Sequence, residues 1–248
     1  MNILLRELRH NRLLWLLVFV PLLFAAESAG PVSARLLFVL SVLAIVPLAG
    51  LLSYATESVA ARTGDTVGGL LNATLGNLTE LVIALTALRA GQYLLVKASI
   101  AGAIVTNTLF MLGMAFLLGG LRYHVQEYNR VTARLQAGLL FLATIALLVP
   151  SAVSSADATA GGFASRLSFG LALLLIAAYG LSMLFSLNTH RELFASVAKP
   201  GEAQAEAEAH LPITVALATL AGVTVLVALV SEVFVESVQE AAESFGMT

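Results

Sequence analysis

Glu80 stands in the middle of GGLLNATLGNLTELVIALTAL, residues 68–88, a stretch otherwise apolar enough to cross a bilayer. An ionised side chain at that depth costs roughly 3 kcal/mol or more, so it is rarely kept there without a task. Around it are Gly68, Gly69, Asn72, Thr74, Gly76, Asn77 and Thr79. These residue types weaken a helix and offer amide, hydroxyl and freed carbonyl oxygens. A broken membrane helix with oxygen donors around one carboxylate is what a cation pathway needs. A structural glutamate, neutral in apolar surroundings or bonded to a neighbouring helix, is the plainer alternative. The density of oxygen donors favours the ligand.

The next apolar stretch, KASIAGAIVTNTLFMLGMAFLLGG, carries Ser99, Gly102, Thr106, Asn107 and Gly113. Small residues at four-residue spacing let helices pack closely, which accounts for the glycines but not for Asn107. An amide in lipid needs a neighbour or an ion. Calcium takes six to eight oxygen ligands, and Glu80, Asn77 and Asn107 with freed carbonyls suit it. Two more carboxylates, Glu57 in LLSYATESVA and Glu232 in VALVSEVFVESV, lie nearer span ends. They are candidates for releasing and taking up protons, against an interfacial or structural role. No soft-metal site is expected: there is no cysteine, and His10, His124, His190 and His210 fall at span ends or in loops.

The elements that must position these groups are membrane helices. Of the 248 residues 59% are hydrophobic and only 11% charged, with a mean hydropathy of +0.93. A soluble domain carries about 25% charged residues, so the composition predicts an all-α polytopic membrane protein with little soluble mass. The net charge of -2 and the lack of a sizeable basic patch exclude nucleic acid as a partner; the lipid bilayer is the expected environment. Apolar windows place spans at about 13–26, 34–56, 68–88, 93–118, 132–149, 166–187 and 212–235, the first and fifth short. The basic lead of the first resembles a signal peptide, but no convincing cleavage site follows, and it is taken as a retained span. With the N-terminus inside, nine of the thirteen Lys and Arg residues fall inside and four outside, which predicts a cytoplasmic N-terminus and an inner-membrane or cell-membrane protein. PSAVSSADATAGG between the fifth and sixth spans reads as an external turn. The Pro200–Gly201 pair and Glu202, Glu206 and Glu208 mark an acidic linker on the cytoplasmic side, either plain solvated chain or a cation-attracting regulatory segment.

Residues 72–120 resemble the first signature repeat of cation/proton exchangers in the calcium/cation antiporter superfamily. There GNxxE on one broken helix is followed by ASxxGxxxxNxLxxLG on the next. Gly76, Asn77 and Glu80 match the first motif; Ala98, Ser99, Gly102, Asn107, Leu109, Leu112 and Gly113 match the second. SYATESVA resembles the family's second helix and VSEVFVESVQEAAESFGMT its seventh. Leu78 stands where alanine is usual and Ala103 where serine is common, and neither removes a carboxylate. The resemblance implies an eleven-span exchanger with one leading span and two five-span halves of inverted orientation. Each half gives one glutamate-bearing broken helix to a site at the midplane. On it, 1–33 is the leading segment, 34–188 the first five-helix repeat, 189–211 the linker and 212–248 the opening of a second repeat.

TESVA at 56–60 echoes VESVQ at 235–239, so a second GNxxE is expected at about residue 255, beyond Thr248. A fragment of a longer gene is the preferred explanation, over a split exchanger whose second half is separate and a homodimer using two copies of Glu80. The function implied is Ca²⁺/H⁺ antiport by alternating access. Its ligands are Glu80, Asn77, Asn107 and Ser99, its proton-coupling residues are Glu57 and Glu232, and no cofactor is required. The first, second and seventh spans would slide as a gate. Other hard cations, Na⁺/Ca²⁺ exchange among them, share these ligands. An intramembrane enzyme would need a Ser–His, paired Asp or HExxH arrangement at membrane depth, and the spans contain none. A passive channel or scaffold would lack proton coupling.

Overall fold

The computed structural model of the protein describes residues 12–30, 32–63, 65–156, 161–190, 211–244 and 246. Among them every regular element is helical. A 3₁₀ segment, Arg12–Val18, leads into α1 (Phe19–Ser28). There follow α2 (Ala34–Ala60), α3 (Asp65–Leu75), α4 (Leu78–Arg89) and α5 (Tyr93–Val105). A π-helical segment, Thr106–Met111, joins α5 to α6 (Leu112–Arg122). Then come α7 (Arg130–Ala156), α8 (Gly161–Leu184) with a π-helical end at Phe185–Thr189, and α9 (Ile213–Ser244). Glu202, Glu206 and Glu208 of the acidic linker, with His10 and His210, lie outside the described residues.

The chain divides into two compact units, residues 1–96 with 199–248 and residues 97–198. In the first, α2 packs along α9. Leu40, Ala44, Leu48, Leu51 and Ala55 recur at helical spacing and are buried, and Val223, Val227, Val230 and Val233 belong to the same core as the α2 leucines. In a bilayer the lipid is as apolar as these side chains. Burial from water therefore does not hold the helices together, and close van der Waals contact between small and β-branched residues does. Phe38 stacks on Phe234 at 5.7 Å. At one end Ser58 Oγ donates to the Tyr54 carbonyl at 2.8 Å and accepts the Leu211 N–H at 3.2 Å. Arg62 Nε donates to the Leu211 carbonyl at 2.9 Å. These bonds satisfy backbone groups where α9 begins and tie it to the end of α2.

In the second unit α7 and α8 form a packed pair. None of the residues in the most apolar windows of Tyr93–Arg122 and Gly162–Thr189 is buried, against 39% for Ala34–Ala60. Large apolar side chains such as Leu109, Phe110, Ile176 and Leu181 are exposed on them.

The seven expected spans resolve into five helices of crossing length, one bent pair and a shorter apolar stretch, Leu13–Ser28. The last stands where the first span is expected and is shorter than the others. Seven 3₁₀ residues at about 2.0 Å and ten α residues at about 1.5 Å give about 29 Å, close to the hydrocarbon thickness. It lies against α2, with Leu14, Val20 and Leu23 buried in the α2–α9 core. The fifth span is not short: α7 has 27 residues and takes in Pro150–Ala156, which the sequence reading assigned to a turn. The Ser151 and Ser155 hydroxyls bond back to the Leu147 and Ser151 carbonyls, both at 2.9 Å, so these serines serve the helix instead of leaving it.

Candidate cation site

The third span is broken where the glycine and amide cluster falls. α3 ends at Leu75, Gly76 and Asn77 form a turn, and α4 leaves at 44°. Gly76 donates its N–H to the Asn72 carbonyl at 2.9 Å, and a Cβ at Gly76 would lie 2.5 Å from that same oxygen. Only a residue without a side chain takes this path. Gly68 has a parallel role at the start of the span: its Cβ would meet the Ala60 carbonyl at 2.3 Å, so α3 can lie against the end of α2.

Beyond the break Asn77 is the N-cap of α4 and Glu80 is in its first turn. N-x-x-E is also the pattern of a capping box, in which the two side chains would be consumed by backbone N–H groups. That use is not made. Asn77 gives no side-chain cap bond, and its Nδ2 donates to the Ala73 carbonyl at 3.4 Å instead. Asn77 and Glu80 are both exposed, leaving the amide oxygen and the carboxylate open to a ligand. The N-terminal N–H groups of α4 put partial positive charge beside Glu80, a favourable pairing for an anion. Leu78 and Val82, on either side of Glu80, pack on the α2–α9 core and hold this turn in place, and Thr79 is buried. α4 closes with a Schellman motif: Gln92 N–H reaches the Ala87 carbonyl at 2.8 Å, Gly91 N–H the Leu88 carbonyl at 3.1 Å, and Gly91 has φ 73°.

Glu57 on α2 and Glu232 on α9 are exposed members of the same unit. Next to Glu57, Thr56 is fully buried and its hydroxyl has no hydrogen-bond partner among the described residues. Ser99 and Asn107 belong to the second unit, both exposed. Asn107 lies in the π-helical segment, which the sequence reading did not anticipate. There Leu112 N–H bonds to the Asn107 carbonyl and the Thr108 hydroxyl turns back to the Ile104 carbonyl. A π-helical turn widens the backbone and is found often at functional positions. The polar triplet Thr106–Asn107–Thr108 inside an apolar span was the one available signal. Among the described residues, no three His, Cys, Asp or Glu side chains gather as a metal cluster.

Residues 33–188 match the profile of the sodium/calcium exchanger protein family, more than half of the chain. The chain belongs to that family. Among its relatives, a Ca(2+)/H(+) antiporter of Aphanothece halophytica is 40% identical over 226 residues, covering 86% of this chain and 60% of the relative. Another of that name from Synechocystis sp. is 39% identical over 248 residues, covering 94% and 66%. The Ca(2+)/H(+) antiporter ChaA of Bacillus subtilis is 36% identical, covering 95% of this chain and 67% of the relative. The solved structure of native YfkE superposes with a TM-score of 0.72 at 30% identity, covering 94% of this chain and 64% of that one. This exchanger-family chain thus spans about two thirds or less of the length of these relatives. It is an all-helical, multi-pass membrane protein.

Proposed function

We propose that this chain carries one half of the cation site of a Ca²⁺/H⁺ antiporter. The observation behind the reading is the break at Gly76–Asn77, which sets Glu80 in the first turn of α4 with the Asn77 oxygen unspent. Relatives named as Ca²⁺/H⁺ antiporters supply the ion pair. Glu80 binds calcium in its ionised form, Asn77, Asn107 and Ser99 add neutral oxygens, and the metal replaces hydration with six to eight such ligands. Protonation of the same carboxylate removes the charge and one lone pair, so proton and metal exclude each other. This competition couples the two fluxes without any covalent step or cofactor.

One carboxylate balances half of a divalent charge. A site for a divalent cation therefore calls for a second carboxylate beside Glu80. Glu57 and Glu232 carry protons on α2 and α9, which shift relative to the broken helices as access alternates. The N-terminus faces the cytoplasm and the membrane is the cell membrane. The deciding experiment is Glu80→Gln in proteoliposomes of the whole exchanger, with radioactive calcium as tracer. Calcium uptake driven by a pH gradient should vanish while insertion and yield stay normal; retained uptake would remove Glu80 from the site. Replacing the pH gradient with a sodium gradient tests the counter-ion, and sodium-driven uptake alone would reassign it.

A further inference from the structure

The connection between the fourth and fifth spans has features that cation exchange does not use. Residues 112–137 contain three arginines, Arg122, Arg130 and Arg134, against one acid, Glu127. The segment is held in shape. Asn129 Oδ1 accepts the Val131 and Thr132 N–H groups at 3.0 and 3.1 Å, capping α7, and Gln126 Nε2 donates to the Phe116 carbonyl at 3.0 Å. The Arg122 guanidinium lies 5.7 Å from the Tyr123 ring centroid. Two grooves open on this frame. One, of about 440 Å³, runs between Leu112 and Phe116 of α6 and Thr132 of α7. The other, of about 310 Å³, is bordered by Arg130 and Arg134, one helical turn apart. Tyr128 and Ala133 line both.

We propose that this is a binding site for an acidic phospholipid. Its phosphate would sit between Arg130 and Arg134, and its acyl chains would follow the grooves on either side of Ala133. Guanidinium pairs suit phosphate oxygens. A free phosphate would make no use of the apolar walls, and a zwitterionic lipid would gain little from an excess of two positive charges. Tyr123 and Tyr128, 57% and 67% exposed, are the residues that settle at the headgroup level, and the exposed Phe116 and Leu121 point to the same boundary. Basic residues at the membrane surface attract anionic lipid strongly enough for two of them to change occupancy about tenfold or more. The inference rests on the multi-pass membrane fold alone and stands apart from the transported ion.

The test is native mass spectrometry of the whole exchanger, released from detergent with equal amounts of phosphatidylglycerol and phosphatidylcholine. Phosphatidylglycerol should remain bound in preference. The double variant Arg130→Gln/Arg134→Gln should lower its occupancy about tenfold, and Arg130→Lys/Arg134→Lys should recover most of it. Ala133→Phe, which adds bulk at the wall shared by both grooves and leaves the guanidiniums intact, should also weaken lipid binding. Arg166→Gln should not. Thermal melting in each lipid supplies a second readout: the extra stability given by phosphatidylglycerol should disappear in the glutamine variant. Equal loss in Arg166→Gln would mean diffuse charge attraction. No effect of Ala133→Phe would mean that the grooves hold no chain. No preference in the unmodified protein would mean that protein covers this surface. Each of these three results overturns the proposal.

Discussion

Replacing Gly76 by alanine tests whether the break in the third span is what makes Glu80 useful. The added Cβ would lie 2.5 Å from the Asn72 carbonyl oxygen, whereas carbon–oxygen contacts are comfortable from about 3.3 Å. The two must move apart by about 0.8 Å, and the same oxygen already accepts the Gly76 N–H at 2.9 Å. Overpacking of this kind costs about 1–3 kcal/mol. Alanine also favours continuous helix over glycine by about 1 kcal/mol. The two effects act together against the bent turn, and they oppose each other in total stability because a straightened helix regains the second. The bent arrangement should therefore lose about 2–4 kcal/mol relative to a straight one, while the melting temperature moves little. At about 1.4 kcal/mol per tenfold, proton-driven calcium uptake should fall at least about thirtyfold. Gly170→Ala and Gly180→Ala on α8, where an added Cβ meets nothing within 4 Å, should leave uptake within about threefold. Wild-type uptake by Gly76→Ala, or an equal loss in the α8 controls, would refute the argument.

Asn107→Ala should weaken the apparent calcium affinity about tenfold in the same flux assay, since one oxygen ligand is lost and the charge is kept; an unchanged affinity would make Asn107 a packing amide. Thr56→Val keeps the shape and removes a buried hydroxyl that has no partner among the described residues, so it should stabilise the protein by about 1 kcal/mol, read as a higher melting temperature; a lower one would mean that the hydroxyl is bonded in the folded protein. Reporter fusions near Gln204 and at Thr248 should read as cytoplasmic and external respectively, from the Lys and Arg bias, and the opposite sign at either place would mean a miscounted span.

Much of this was legible because membrane sequences state their constraints plainly. A carboxylate among apolar residues, with Gly76 and Asn77 just before it, gave the broken span, since backbone that leaves a helix in lipid needs glycine to turn and polar groups to satisfy it. Less legible were departures that keep the helix going. The π-helical turn at Thr106–Met111 changes which carbonyl each N–H reaches, and composition does not report that. The 3₁₀ segment at Arg12–Val18 stretches a short apolar run by altering its rise. Ser151 and Ser155 read as turn residues because in water their hydroxyls compete with the helix; in an apolar setting they close on their own helix instead.

The exposure of the candidate residues carries the last step. Glu57, Asn77, Glu80, Ser99, Asn107 and Glu232 are all exposed, while buried hydroxyls such as Ser41, Ser58, Ser231 and Ser237 bond back within their own helices. The polar groups of these buried serines are thus satisfied inside the chain, whereas the buried Thr56 hydroxyl finds no partner among the described residues. Those of the candidate site are left facing outward, and a carboxylate facing hydrocarbon would cost roughly 3 kcal/mol. An outward position at membrane depth is tolerable only against water in a cavity, a bound cation or another protein surface. That is the environment a shared ion pathway provides. It also accords with the sequence, in which these residues stand out as polar groups within apolar stretches.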